Sequence, residues 1–204
     1  MNKTLPLICL LLALALVLTG CGLSGSDYTY RKLSDGTVKI TKYSGKAETL
    51  DIPSELDGKT VTGIGAYAFS DCVRLRSVTV PGSVTSIEEQ AFLFCRSLSS
   101  VYLKEGLTEI GGSAFHGCEA LTSVVIPEGV TSIGDTAFYC CTSLASVTIP
   151  GSVTHIGRDA FNVLRVGGGT FTAPIEGLTA TVWQGSYAEE YCRQNGVKYK
   201  YPDD

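Results

Sequence analysis

Apolar positions recur along this chain with one period. Ile64, Ile87, Ile110, Ile133 and Ile156 lie 23 residues apart. Phe69, Phe92, Phe115, Phe138 and Phe161 keep the same spacing, each preceded by an alanine from Ala68 to Ala160. The unit reads Ile-Gly-x-x-Ala-Phe-x-x-Cys-x-x-Leu-x-Ser-Val-x-Ile-Pro-x-x-Val-Thr-x, and no insertion breaks it over that span. A unit this short cannot bury its own apolar side, so the period predicts coils stacked into a solenoid.

Within a unit, Leu75 to Val80 follows Leu-x-x-Leu-x-Leu, with counterparts at Leu98 to Leu103, Leu121 to Ile126 and Leu144 to Ile149. Pro81, Pro127 and Pro150 close three of these β-rich runs, which predicts a strand ending where proline removes a ladder donor. Val84-Thr85-Ser86-Ile87 and its copies predict a second short strand. The Ala-Phe stretch between them is too short for a full helix and predicts one helical or 3-10 turn. Stacking in register sets like strands in parallel about 4.8 Å apart.

The flanks predict covers for the open ends. Tyr28 to Tyr43 alternates around Asp35-Gly36, a hairpin signal. Leu50-Asp51-Ile52-Pro53 supplies a first strand, and the longer path from Pro53 to Val61 predicts an insertion that turns at Asp57-Gly58. After Phe161 the pattern decays through Leu164 into Gly167-Gly168-Gly169, which predicts a loop before a last strand at Leu178 to Trp183. Ser186 to Gln194 predicts a closing helix, with Ser186 as N-cap, Glu189 as capping-box partner and Gly196 near the end. Val197 to Tyr201 is a strand-like tail.

The amino terminus follows a different logic. Lys3 precedes an apolar run from Leu5 to Leu18, broken only by Pro6 and followed by Thr19-Gly20-Cys21. The run is shorter than the roughly 20 residues of a membrane span and predicts a secretory signal over residues 1–20. Leu18-Thr19-Gly20-Cys21 resembles the lipobox of bacterial lipoproteins. That resemblance implies cleavage before Cys21, lipidation of its sulfur, and display on the outer face of a bacterial membrane. Residues 21–27 then serve as a lipidated tether. Gly22 leaves the destination membrane open.

A formal net charge of −4 removes nucleic acid as an expected partner. Of the eight cysteines, Cys72, Cys95, Cys118 and Cys141 share one column, which continues at Leu164 and predicts buried thiols. Disulfides along the column stay open on distance. No Cys-x-x-Cys pair suggests zinc. Cys140 and Cys192 are the candidates for exposed thiols. His116 falls in a variable loop and His155 in a solvated column, and neither is tied to a nucleophile by a motif. No cofactor and no enzymatic activity are expected. Thr62, Thr85, Thr108, Thr131 and Thr154 form another column. One threonine per coil fits a half-exposed strand position better than an ice-ordering face.

The repeat resembles the 23-residue leucine-rich repeats of the BspA-like family of bacterial surface proteins, over residues 43–164. The resemblance implies a right-handed leucine-rich-repeat solenoid, β-rich with short helical turns, between an N-terminal hairpin cap and a C-terminal helix cap. It divides the folded part into an N-terminal cap with its first coil (28–63), the repeats (64–164) and a C-terminal cap (165–204). It also implies a non-enzymatic cell-surface role in adhesion or protein binding.

Departures from the pattern on exposed columns point to a site. The second repeat departs most, with Glu88 for the usual glycine, Tyr102 on the sheet face, Lys104 for proline, and Leu93 and Phe94 in a turn. Tyr102, Lys104, Phe94, Arg96 and Tyr139 are the candidate ligand-binding residues. The expected partner is a protein of a host or neighbouring cell, or a cell-wall glycan, bound by a monomer. A structural, self-associating envelope protein is the alternative.

Overall fold

Hydrogen bonds between successive coils build the two sheets of this protein. The computed structural model describes residues 27–166 and 170–204. The signal sequence, Cys21 and its tether, and Gly167 to Gly169 lie outside the described residues.

The chain opens with β1 (Tyr28–Lys32), β2 (Val38–Tyr43) and β3 (Thr49–Asp51), followed by β4 (Glu55–Leu56) and β5 (Lys59–Ile64). The repeats supply β6 (Ser77–Val80), β7 (Ser86–Ile87), β8 (Ser100–Leu103), β9 (Glu109–Ile110), β10 (Ser123–Val125), β11 (Ser132–Ile133), β12 (Ser146–Thr148) and β13 (His155–Ile156). The carboxyl end adds β14 (Asn162–Val166), β15 (Thr170–Pro174), β16 (Thr179–Thr181), α1 (Tyr187–Asn195) and β17 (Lys198–Lys200).

One sheet runs β1-β2-β5-β7-β9-β11-β13, with β4 paired on β5, and the other runs β17-β16-β12-β10-β8-β6-β3. Coil-to-coil pairs are parallel and in register at the repeat period, as in Ile87 on Ile110 and Val78 on Val101. β1 and β2 form the antiparallel hairpin cap. Leu50 pairs with Val78, so the extra residues of the first coil are taken up by the β4–β5 hairpin, whose turn is Asp57-Gly58.

The Ala-Phe segments close as single tight turns. Ala68 donates its N–H to Gly65 O and Cys72 to Phe69 O, while Phe69 donates across to Ala91 O of the next coil. These bonds between coils form a third ladder and satisfy backbone groups that would otherwise be buried unpaired. Tyr67, Gln90, Ser113, Thr136 and Asp159 all hold positive φ at the same place in the turn.

The core is a set of columns. The five phenylalanines are at most 1% exposed, and their rings stack at 4.9 to 5.3 Å with planes within 12°. Tyr43 and Tyr28 extend the stack at one end, and Tyr191 of α1 meets Phe161 edge-on at the other. Burying each phenylalanine contributes about 1.5 to 3 kcal/mol. The six cysteines among the described residues are free thiols. Cys95, Cys118 and Cys141 are fully buried and donate S–H to the carbonyls of Phe69, Phe92 and Phe115. A small apolar residue with a weak donor suits that position. Each threonine hydroxyl from Thr85 to Thr154 donates to the carbonyl of the threonine one coil earlier.

Three expectations are corrected here. The stretch after Phe161 is not simply a loop, because β14 and β15 pair as an antiparallel hairpin outside both main sheets. Leu164 therefore leaves the cysteine column and is 51% exposed. Cys192 is buried on the inner side of α1 and not exposed, since the helix lays Ala188, Tyr191 and Cys192 over the last coil. Ser186 caps that helix by accepting from Glu189 N, and Gly196 ends it in the left-handed conformation.

Candidate binding faces

The outer face of the second sheet is built from the outward residues of each strand. One column holds Ser77, Ser100, Ser123 and Ser146, and the next holds Thr79, Tyr102 and, one coil on, Val125 followed by Thr148. Small hydroxyl residues keep this face flat. Tyr102 and Val125 are 60% and 62% exposed and sit side by side in neighbouring strands, an apolar step on an otherwise polar sheet. Lys104 is exposed at the end of β8, where its N–H donates to Val80 O. Proline at that place in the other coils has no N–H to give.

The remaining candidates gather elsewhere on the coil. Phe94 holds a φ of 56° in the turn segment, and its ring lies across Gly117 of the next coil. His116 stands between Phe94 and Tyr139, with ring centroids 5.4 and 5.1 Å away. The Arg96 guanidinium lies 5.6 Å from the centroid of Phe94 and pairs with Glu119 at 3.6 Å. Burial holds the His116 imidazole below its ordinary pKa, so the ring is neutral near pH 7. The five candidates thus form two groups: Tyr102 with Lys104 on the sheet face, and Phe94, Arg96 and Tyr139 joined by His116 along the turns.

Sequence reasoning missed His116 as a member of this ridge. Its column holds Leu93 and Tyr139, and a glycine at 117 in the column of Phe94 was the available signal. Glu88 has a different role from the one its departure suggested. Its carboxylate pairs with Lys39 of the cap hairpin and accepts the Ala66 N–H at 3.1 Å, tying cap to second repeat. Glycine is needed in the same column at Gly111, where a Cβ would lie 2.7 Å from the Glu88 backbone. Gly134 and Gly157 are crowded in the same way by the backbone of the coil before them.

Among the described residues, no group of three or more histidine, cysteine, aspartate or glutamate side chains is placed to hold a metal. No helix among them is long and apolar enough to cross a membrane.

No curated protein matches the chain. Among solved structures it is similar to a leucine-rich-repeat protein of T. pallidum, with 37% identity and a TM-score of 0.67 over 68% of this chain and 65% of that one. It is also similar to a leucine-rich-repeat protein of Bacteroides ovatus, with 30% identity and a TM-score of 0.63 over 76% of this chain and 39% of that one. The chain spans less than two thirds of the length of either. A leucine-rich cell surface protein of Faecalibacterium prausnitzii shares the fold at 24% identity and a TM-score of 0.51, over 75% of this chain and 60% of that one. A model of the BspA-type leucine-rich-repeat region matches residues 41–174 in six copies, and the chain belongs to that family.

Proposed function

We propose that this chain is a non-enzymatic binding protein displayed on a bacterial surface, held by a lipid on Cys21, and that it engages a protein partner through the sheet face around Tyr102. The exposed Tyr102 and Val125 pair carries the reading. A large aromatic ring beside a branched side chain on a flat, hydroxyl-lined sheet has the form of an interface anchor, with Lys104 at its rim. The coverage of the stack ends by Tyr28, Tyr43 and Tyr191 supports a monomer, because neither end of the phenylalanine column is left open to a second copy.

The test is a binding screen of the full chain against extracellular matrix proteins, followed by the paired variant Tyr102→Ala, Lys104→Ala. Affinity for the captured protein falls about tenfold or more, equivalent to about 1.4 kcal/mol, and the melting temperature does not move. Unchanged affinity removes this face. Separately, the parent chain takes up label from palmitate and Cys21→Ser does not; an unlabelled parent, or label that persists in the variant, overturns the anchor.

A further inference from the structure

Phe94, His116 and Tyr139 form a continuous aromatic ridge with one ring on each of three successive coils. We infer that this ridge binds an extended β-1,4-linked glycan, one sugar per coil. The site is separate from the sheet face around Tyr102 and does not rest on the role proposed for it.

Spacing is the first argument. The ring-to-ring steps of 5.4 and 5.1 Å match the length that one β-1,4-linked pyranose adds to an extended chain. In-register stacking of the coils fixes the His116–Tyr139 step, and Phe94 reaches His116 from the adjacent column because Gly117 leaves its ring room to lean over the next coil.

Ring orientation is the second. The plane of His116 is turned 80° from Phe94 and 53° from Tyr139, so the imidazole does not continue a flat stack. In a β-1,4-linked chain alternate sugars present the same C–H face. Phe94 and Tyr139, two coils apart and both half-buried, would take such alternate sugars, with the Arg96 guanidinium swinging from over the Phe94 ring to the sugar hydroxyls. The neutral imidazole between them keeps one N–H donor and one acceptor nitrogen for the hydroxyls of the intervening sugar.

The surroundings favour a sugar over other polymers. The ridge is one ring wide and its Phe94 end is flanked by the exposed Arg96 and Glu119 pair, which offers bidentate hydrogen bonding to hydroxyls but little apolar area for a protein anchor. A net charge of −4 opposes a nucleic acid strand, which also uses stacking platforms but needs a basic track. Gly117 is part of the design, because any side chain there would push the Phe94 ring out of line.

The experiment titrates the full chain with β-1,4-linked hexamers of N-acetylglucosamine and of glucose, and with α-1,4-linked glucohexaose, by calorimetry. At least one β-linked hexamer binds saturably and the α-linked one does not. Tyr139→Ala and Phe94→Ala each weaken binding about tenfold or more, Tyr139→Phe retains it, and Tyr102→Ala leaves it unchanged. Tyr139 is half-buried, so a melting temperature near the parent's shows that its alanine variant is folded, and that variant carries the test even if Phe94→Ala is unstable. Absence of binding to both β-linked hexamers, equal binding of the α-linked one, or full affinity in Tyr139→Ala overturns the assignment.

Discussion

The ring of Phe94 lies so close over Gly117 that a Cβ on that glycine would stand 2.5 Å from the ring's Cδ1. Gly117 also holds a φ of 73°, which side chains resist. Gly117→Ala therefore combines backbone strain with a steric conflict and destabilises the fold by about 2 to 3 kcal/mol. The double variant Gly117→Ala, Phe94→Ala recovers the steric part. Urea unfolding measures both, and a single variant within about 0.5 kcal/mol of the parent would refute the packing account.

The pair of Lys39 and Glu88 links the cap hairpin to the second repeat across an intervening coil. Both side chains keep contact with water, at 14% and 37% exposure, so the coupling is modest. A double-mutant cycle with Lys39→Met and Glu88→Gln gives about 0.5 to 1 kcal/mol, and less in molar salt. A coupling that grows with salt contradicts an ionic tie.

Thr136 is a β-branched residue held at a φ of 54°. Asparagine tolerates that conformation better. Thr136→Asn raises the melting temperature by about 1 to 3 °C, since relief of under 1 kcal/mol moves a chain of this size by that amount. The loss of the Thr136 contact with Ser113 works against the gain and holds the rise to that small size. A fall in melting temperature shows that the hydroxyl outweighs the strain.

Burial pushes the Cys192 thiol up to about 12, from an ordinary 9.0, and raises Cys118 and Cys141 as well. Below pH 9 these thiols are protonated in both the folded and unfolded chain. Between the unfolded and folded pKa values the unfolded chain binds fewer protons, so stability falls as pH rises. Thermal melts are flat from about pH 7.5 to 8.5, above the range where His116 titrates, and drop from about pH 9 upward. A constant melting temperature up to pH 11 denies that these thiols stay buried and neutral.

The repeat was legible because each inward column carries one kind of residue. Isoleucine, phenylalanine and cysteine at fixed spacing leave little choice of strand register, and the pairs Ile87 on Ile110 and Val78 on Val101 follow from it. Legibility ended where the column residues changed. Leu164 read as core because it continued the cysteine spacing, yet the chain had left the coil for the β14–β15 hairpin. Cys192 read as exposed because its environment depends on how α1 docks, which no period specifies.

The candidate site shows the same division. Tyr102 stood out by breaking an exposed column. The contact of His116 with Phe94 and Tyr139 depends on side chains from different coils leaning toward one another, and a positional pattern does not encode that. Glu88 misled for the same reason, since its partner lies on another element 49 residues away.

The tyrosines at the two ends of the phenylalanine column bear on how such proteins change in length. A further 23-residue copy inserted between Phe92 and Phe115 meets like surfaces on both sides, while one inserted outside Tyr43 or Tyr191 does not. Copy number is thus free to drift through duplication in the interior. Such an insertion leaves both end covers in place, and any ligand read one unit per coil gains or loses a subsite with each event.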